Sequence, residues 1–154
     1  MSDLPTTKPT AIHALVSAAR AGDARVIASL PSGWALFGER QFVRGYVLLL
    51  PDPVVPDINS LDEPARAQFL LDMTRVGDAL LTVAGAVRIN YAIFGNLEPA
   101  LHAHIVPRYA DEPAALRVQH PWAYDWTAAP LFEAQALQDL AAALRGELAR
   151  RGAR

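Results

Sequence analysis

The chain has no cysteine among its 154 residues. Disulfides, thiolate nucleophiles, Cys-ligated zinc and Cys-ligated iron–sulfur clusters are therefore excluded. It also lacks a basic excess. Its 14 Lys and Arg against 16 Asp and Glu leave a net charge of −2, which speaks against a dedicated nucleic-acid-binding domain. No uncharged apolar run approaches the roughly 18 residues that read as a membrane span; the best stretch, residues 79–87, is too short. Residues 1–10 carry Pro5, Pro9 and charges of both signs in place of a signal peptide's apolar segment, so a cytoplasmic protein without a membrane partner is expected. Histidine is scarce, with His13, His102, His104 and His120 making up all 4. For acid–base or nucleophilic chemistry near neutral pH, these imidazoles come first.

What is present suits one packed core. Hydrophobic residues make up 52% and charged residues 19%, and no linker or repeat divides the chain, so a single domain over residues 1–154 is expected, with residues 1–9 flexible. Ile12, Leu15, Val16 and Ala19 have helical spacing over residues 10–21. Residues 25–30 and 34–37 read as strands joined at Pro31-Ser32-Gly33, and residues 42–50 as a third. Ser60-Leu61-Asp62-Glu63 has the form of a capping box. The helix it opens is expected to bury Phe69, Leu70, Met73, Val76, Leu80 and Leu81 and to stop near Gly85. Residues 87–94 and 100–106 read as two more strands, antiparallel because the loop between them, residues 95–99, is too short for a crossover. Residues 110–130 look irregular. A last helix, residues 131–150, carries Leu137, Leu140, Leu144 and Leu148 on one stripe. The fold class is α+β: an antiparallel sheet of about five strands with packed helices.

The chemistry concentrates at Leu101-His102-Ala103-His104-Ile105-Val106-Pro107-Arg108. Side chains alternate along a strand, so Leu101, Ala103 and Ile105 face the core while His102 and His104 share the other face, roughly 7 Å apart. Such a pair can bind a metal, bind an anion, or divide the roles of nucleophile and polar assistant. A pair of inert strand histidines has the same spacing. Arg108 follows at once and suits bidentate phosphate binding, or a plain surface role.

The segment Asn90-Tyr91-Ala92-Ile93-Phe94-Gly95-Asn96-Leu97-Glu98-Pro99-Ala100-Leu101-His102-Ala103-His104-Ile105-Val106-Pro107-Arg108 resembles the signature of the histidine triad (HIT) superfamily. That signature is His-φ-His-φ-His-φ-φ with φ apolar, often followed by Pro-Arg. The resemblance implies a HIT-like fold, homodimers built by extending the sheet, and hydrolysis or nucleotidyl transfer at a nucleotide α-phosphate. It assigns the nucleophile to His102, the assisting imidazole to His104 and a phosphate-holding asparagine to Asn96. Two positions depart from it: Ala100 stands where the first histidine is expected, and Tyr46 where many members carry a further histidine.

A neutral His102 would attack phosphorus and form a nucleotidyl-histidine that water then hydrolyses. This needs no cofactor and no tightly bound metal, although Mg²⁺ is compatible as a companion of the substrate. Glu98 can protonate a leaving group in place of the missing histidine, or be a solvated loop carboxylate. Tyr46 can hydrogen-bond a phosphate, or be a core tyrosine. Trp34, Leu36, Phe42 and Tyr46 are candidates for a nucleoside pocket, and Trp122, Tyr124 and Trp126 for a lid. Two alternatives stand beside the hydrolase: a nucleotide-binding protein with weakened catalysis, and a metal site in which His13 or His120 joins the pair.

Overall fold

The computed structural model describes residues 8–152. The expected flexibility of residues 1–9 therefore falls, for residues 1–7, outside the described part. The elements run α1 (Ala11–Arg20), β1 (Val26–Leu30), β2 (Gly33–Phe37), β3 (Val47–Pro51), α2 (Glu63–Val83), β4 (Arg88–Ile93), β5 (Ala103–Arg108), α3 (Ala114–Arg117) and α4 (Ala134–Arg150). The five strands form one sheet in the order β1-β2-β3-β5-β4, with every neighbouring pair antiparallel. The expected α+β class and the antiparallel pairing of the last two strands are what the structure has.

Alternation sorts the strand residues into two layers. Ala35, Phe37, Val47, Leu49, Ala103 and Ile105 face α2 and α4, where Phe69, Val76, Leu80 and the stripe Leu137, Leu140, Leu144 and Leu148 close the main core. On the opposite face α1 lays Ile12 and Val16 over Leu36, Leu50 and Ala100. Beside it Phe42, Val43, Tyr46, Val106 and Ala129 form a third cluster with Tyr124 and Trp126. The histidine face of β5 lies on this second side. Gly33 is obligatory at the β1–β2 turn, because a Cβ there would sit 1.8 Å from the Leu50 carbonyl oxygen of the adjoining strand. The fully buried Asp72 of α2 accepts from the Ser32 N–H at 2.9 Å and from the Gln68 amide at 2.9 Å, which ties this hairpin to the helix layer.

Several boundaries differ from the sequence reading. The third strand begins at Val47, not residue 42. Residues 38–46 wrap around the Gln41 amide, which donates to the Gly38 and Tyr46 carbonyls at 2.8 and 3.0 Å and accepts from the Gly45 N–H at 2.9 Å. Gly45, at φ +91°, ends the wrap in a conformation closed to most residues. The cap of α2 is Asp62, accepting from the Ala65 N–H at 2.9 Å; Ser60 instead closes a 3₁₀ turn on Asp57. Leu70 and Leu81 point outward from α2 and are 38% and 42% exposed, because the sheet meets the stripe through Phe69, Val76 and Leu80. Within residues 110–130 lies the short α3, and the last helix starts at Ala134 because Phe132 N–H bonds instead to the Glu39 carbonyl at 2.7 Å. No helix among the described residues is long and apolar enough to cross a membrane.

Candidate functional site

The last strand begins at Ala103 instead of residue 100, so His102 stands just before it. The lead-in is fixed all the same. Leu101 is in the main core, and its N–H donates to the Val55 carbonyl at 2.9 Å. Ala103 and Ile105 continue the core-facing set, so His102 and His104 emerge together on the other side. Their rings are 5.0 Å apart and nearly perpendicular, at 74°. β5 is an inner strand: Leu48 and Ala92 flank His104 on β3 and β4.

The two imidazoles are held by different partners. His102 is 7% exposed, and its Nδ1 lies 2.8 Å from the Ala100 carbonyl oxygen. A carbonyl only accepts, so Nδ1 carries the hydrogen and the neutral ring keeps a bare Nε2. His104 Nδ1 lies 2.6 Å from the Tyr46 hydroxyl. Tyr46 is 4% exposed, and its hydroxyl has no other hydrogen-bond partner among the described residues. Donation from Tyr46 to Nδ1 satisfies both groups and leaves the His104 hydrogen on Nε2. Burial pushes the Tyr46 phenol well above its ordinary range, so it remains a donor. Burial, and then the neighbouring His102, pull the His104 pKa down to about 4. The pair therefore presents one nitrogen lone pair and one N–H donor.

A hollow of about 190 Å³ opens at the pair, lined by residues 94–98, His102, His104, Trp122 and Trp126. Its aromatic wall comes from elements distant in sequence. Trp122 stands edge-on to His104 with ring centres 5.0 Å apart, and Phe94 meets Trp122 at 5.0 Å. Trp126 stacks on Phe42 at 3.7 Å.

Four of the six residues singled out in the sequence line this hollow: His102, His104, Asn96 and Glu98. The Asn96 side chain is exposed. A Glu98 carboxylate oxygen accepts from the Ala100 N–H at 3.4 Å. Tyr46 stands behind His104 instead of in the hollow. Arg108 is the correction. Its side chain is 7% exposed and it is occupied on every side. Nε and Nη2 donate to Glu112, Nη1 to Asn90 Oδ1 and the Gln119 carbonyl, and Nη2 also to the Leu116 carbonyl, all within 3.2 Å. Burial pushes the Glu112 carboxyl up, but bonds from Arg108, Tyr124 and the Tyr109 N–H hold it below the ordinary range. This knot pins residues 109–124 to the sheet, and leaves Arg108 no donor for a phosphate. The nucleoside candidates Trp34 and Leu36 are likewise packed under α1, with the Trp34 indole donating to Asp52 at 2.9 Å.

Phe94 and Glu112 were not singled out in the sequence. Phe94 adjoins the Gly95 loop, a signal that could have drawn it in; nothing local marks Glu112. His13 belongs to α1, where its Nδ1 accepts from the Thr10 N–H at 3.0 Å. Among the described residues no three His, Asp or Glu side chains gather where they could hold a metal ion.

Comparison with known proteins gives the same architecture. No family model matches the sequence, and no curated protein matches it. Among solved structures, a histidine triad protein from Bradyrhizobium japonicum is 29% identical, with a TM-score of 0.69 over 79% of this chain and 88% of that one. The chain has the fold of the histidine triad proteins. A histidine triad protein from Marinobacter aquaeolei superposes on 93% of this chain and 98% of its own, with a TM-score of 0.72 at 18% identity. A diadenosine triphosphate hydrolase from Plasmodium falciparum shares the fold at 13% identity, with a TM-score of 0.56 over 82% of this chain and 78% of that one. Ala100, where the sequence resemblance expects the first histidine, is 1% exposed beneath α1.

Proposed function

We propose that the protein is a nucleotide hydrolase or nucleotidyl transferase that acts at the α-phosphate through a nucleotidyl-histidine at His102. One observation carries this reading: the Nδ1 bond to Ala100 leaves a bare Nε2 on His102, beside the His104 donor, in a hollow open to a ligand. The diadenosine triphosphate hydrolase among the fold relatives supports the substrate class.

In the first step the Nε2 lone pair forms a bond to phosphorus, and the bond from phosphorus to the leaving oxygen or nitrogen breaks. The leaving group takes that electron pair and needs a proton, for which Glu98 is the carboxyl in the lining. His104 Nε2–H and the Asn96 amide are the donors available to the phosphoryl oxygens, where stabilisation of developing charge counts most. Water then attacks phosphorus and gives its proton to the Glu98 carboxylate, the P–N bond breaks, and His102 regains its lone pair. No resident metal enters the scheme; Mg²⁺ would arrive only with the substrate.

The alternative is a nucleotide-binding protein with weakened catalysis. It draws on Ala100, which stands where the resemblance expects the first histidine and packs among apolar side chains. A turnover screen with adenosine phosphoramidate, diadenosine polyphosphates and nucleotide sugars separates the two. Turnover lost in His102→Ala supports the hydrolase, whereas AMP binding without any turnover supports the alternative. The homodimer implied by the family would use one of the sheet's free edges, β1 or β4.

A further inference from the structure

The hollow at the histidine pair has a charge balance unlike that of a plain phosphate site. Among the described residues its lining holds no Lys or Arg. Its one carboxylate, Glu98, is half-buried and has no ion-pair partner among the described residues. His104 adds no positive charge near neutral pH, since its pKa is drawn down to about 4. Arg108 is occupied by Glu112. Much of the remaining wall is aromatic. Phe94 and Trp122 meet at 87° with ring centres 5.0 Å apart, which makes a corner, and the Trp126 ring lies 5.2 Å from Trp122. Phe94 is 51% exposed and Trp122 39%, so neither ring is taken up by the core.

Aromatic rings beside a lone carboxylate attract an organic cation. Mg²⁺ shares the charge but takes oxygen ligands, and this lining offers a single carboxylate for it. At about 190 Å³ the hollow is smaller than the roughly 300–1,000 Å³ of pockets for drug-sized ligands, so it suits a compact headgroup.

We propose that this hollow binds a quaternary or protonated ammonium group, carried by the leaving group of the substrate. The substrate class is then a nucleoside diphosphate esterified to an ammonium alcohol. This rests on the function proposed above and narrows it. His102 Nε2 bonds to the α-phosphorus, the bond from that phosphorus to the bridging oxygen breaks, and the phosphomonoester of the ammonium alcohol leaves with the electron pair. A phosphomonoester, with a second pKa of about 6, departs near neutral pH without taking a proton. Glu98 therefore stays a carboxylate, pairs with the cation in this step, and is free for the proton of water in the next.

The test is NMR titration of the full chain with choline and with its neutral isostere 3,3-dimethylbutan-1-ol. Choline should bind at least fivefold more tightly and shift the Trp122 and Trp126 indole signals. Glu98→Gln and Trp122→Leu should each lower that ratio, and the wild-type ratio decides the question even where a variant fails to fold. Equal binding of the two probes, no choline binding, or a ratio untouched by both substitutions overturns the ammonium site. A second arm compares cytidine diphosphate choline with cytidine diphosphate glycerol in turnover and in adduct formation at His102. Faster turnover of the choline ester supports the substrate class. An adduct that forms equally fast from both overturns the ammonium preference and leaves the proposed function standing. Choline binding with no adduct at His102 from either ester overturns the proposed function and the substrate class together.

Discussion

Replacing Tyr46 with Phe removes one atom and tests how the histidine pair is tuned. The hydroxyl is 2.6 Å from His104 Nδ1, and that bond puts the ring hydrogen on Nε2, facing the hollow. Without it Nδ1 is an unpaired acceptor in a half-buried position, which costs about 1–3 kcal/mol. The ring can recover some of this by moving its hydrogen to Nδ1 or by tilting. Either change takes the donor away from the substrate. At 1.36 kcal/mol per factor of ten, the expected loss in kcat is about 5- to 150-fold, with KM nearly unchanged because the donor acts mainly on the developing charge. The apolar ring contacts with Phe42 and Trp126 remain, so folding should be preserved. Steady-state hydrolysis measures the rate, and nitrogen-15 NMR of the imidazoles reads the tautomer directly. A Tyr46→Phe protein with wild-type kcat and His104 still hydrogenated on Nε2 would refute the reasoning.

The His104 pKa of about 4, against the ordinary value near 6.5, sets a pH dependence of stability. The unfolded chain takes up the proton first, so the stabilisation is full above about pH 6.5 and is lost as pH falls toward 4, to a total of about 3 kcal/mol. His104→Gln should flatten that part of the denaturation profile; an unchanged profile would mean His104 is not buried neutral. Arg108→Ala leaves Glu112 with an unpaired charge at a side-chain exposure of 5%, so it should destabilise by about 3–5 kcal/mol in thermal or denaturant unfolding. A stable Arg108→Ala protein that has lost only substrate affinity would return Arg108 to phosphate binding. Ala100→His forces an imidazole among Ile12, Val16, Leu36 and Leu50, and should cost about 1–3 kcal/mol of stability without raising kcat. A gain in rate at unchanged Tm would show instead that the triad had lacked only this group. Asp72→Ala frees the Ser32 N–H and the Gln68 amide, and should lower stability by about 1–3 kcal/mol in the same assay.

The parts of the fold that were legible in the sequence are those with local periodicity. Leu137, Leu140, Leu144 and Leu148 mark the packed stripe of α4, and the alternation around His102 and His104 separates core from site. Boundaries were lost where side chains replaced strand bonds. The Gln41 amide consumes the carbonyls of Gly38 and Tyr46, and nothing in an apolar stretch such as residues 42–50 announces that. The site was readable where its residues lie in one loop and strand, namely Asn96, Glu98, His102 and His104. What closes it was not. Trp122 reaches His104 only because Glu112 anchors Arg108, and the knot depends on Asn90, Tyr124 and two carbonyls brought in by tertiary folding. An arginine after a phosphate-site motif has the same letters whether it is free or fully bonded. Its partners decide its role, and they are contacts that spacing does not encode.

The central claim is that His102 becomes covalently bonded to the nucleotide. Rapid acid-free quenching during turnover of a diadenosine polyphosphate, followed by proteolysis and mass spectrometry, tests it most directly. The account predicts a nucleotidyl adduct on the peptide containing His102, located at that residue by fragmentation and absent from the His102→Ala protein. Turnover that persists in His102→Ala, or an adduct found at any other side chain, would contradict it.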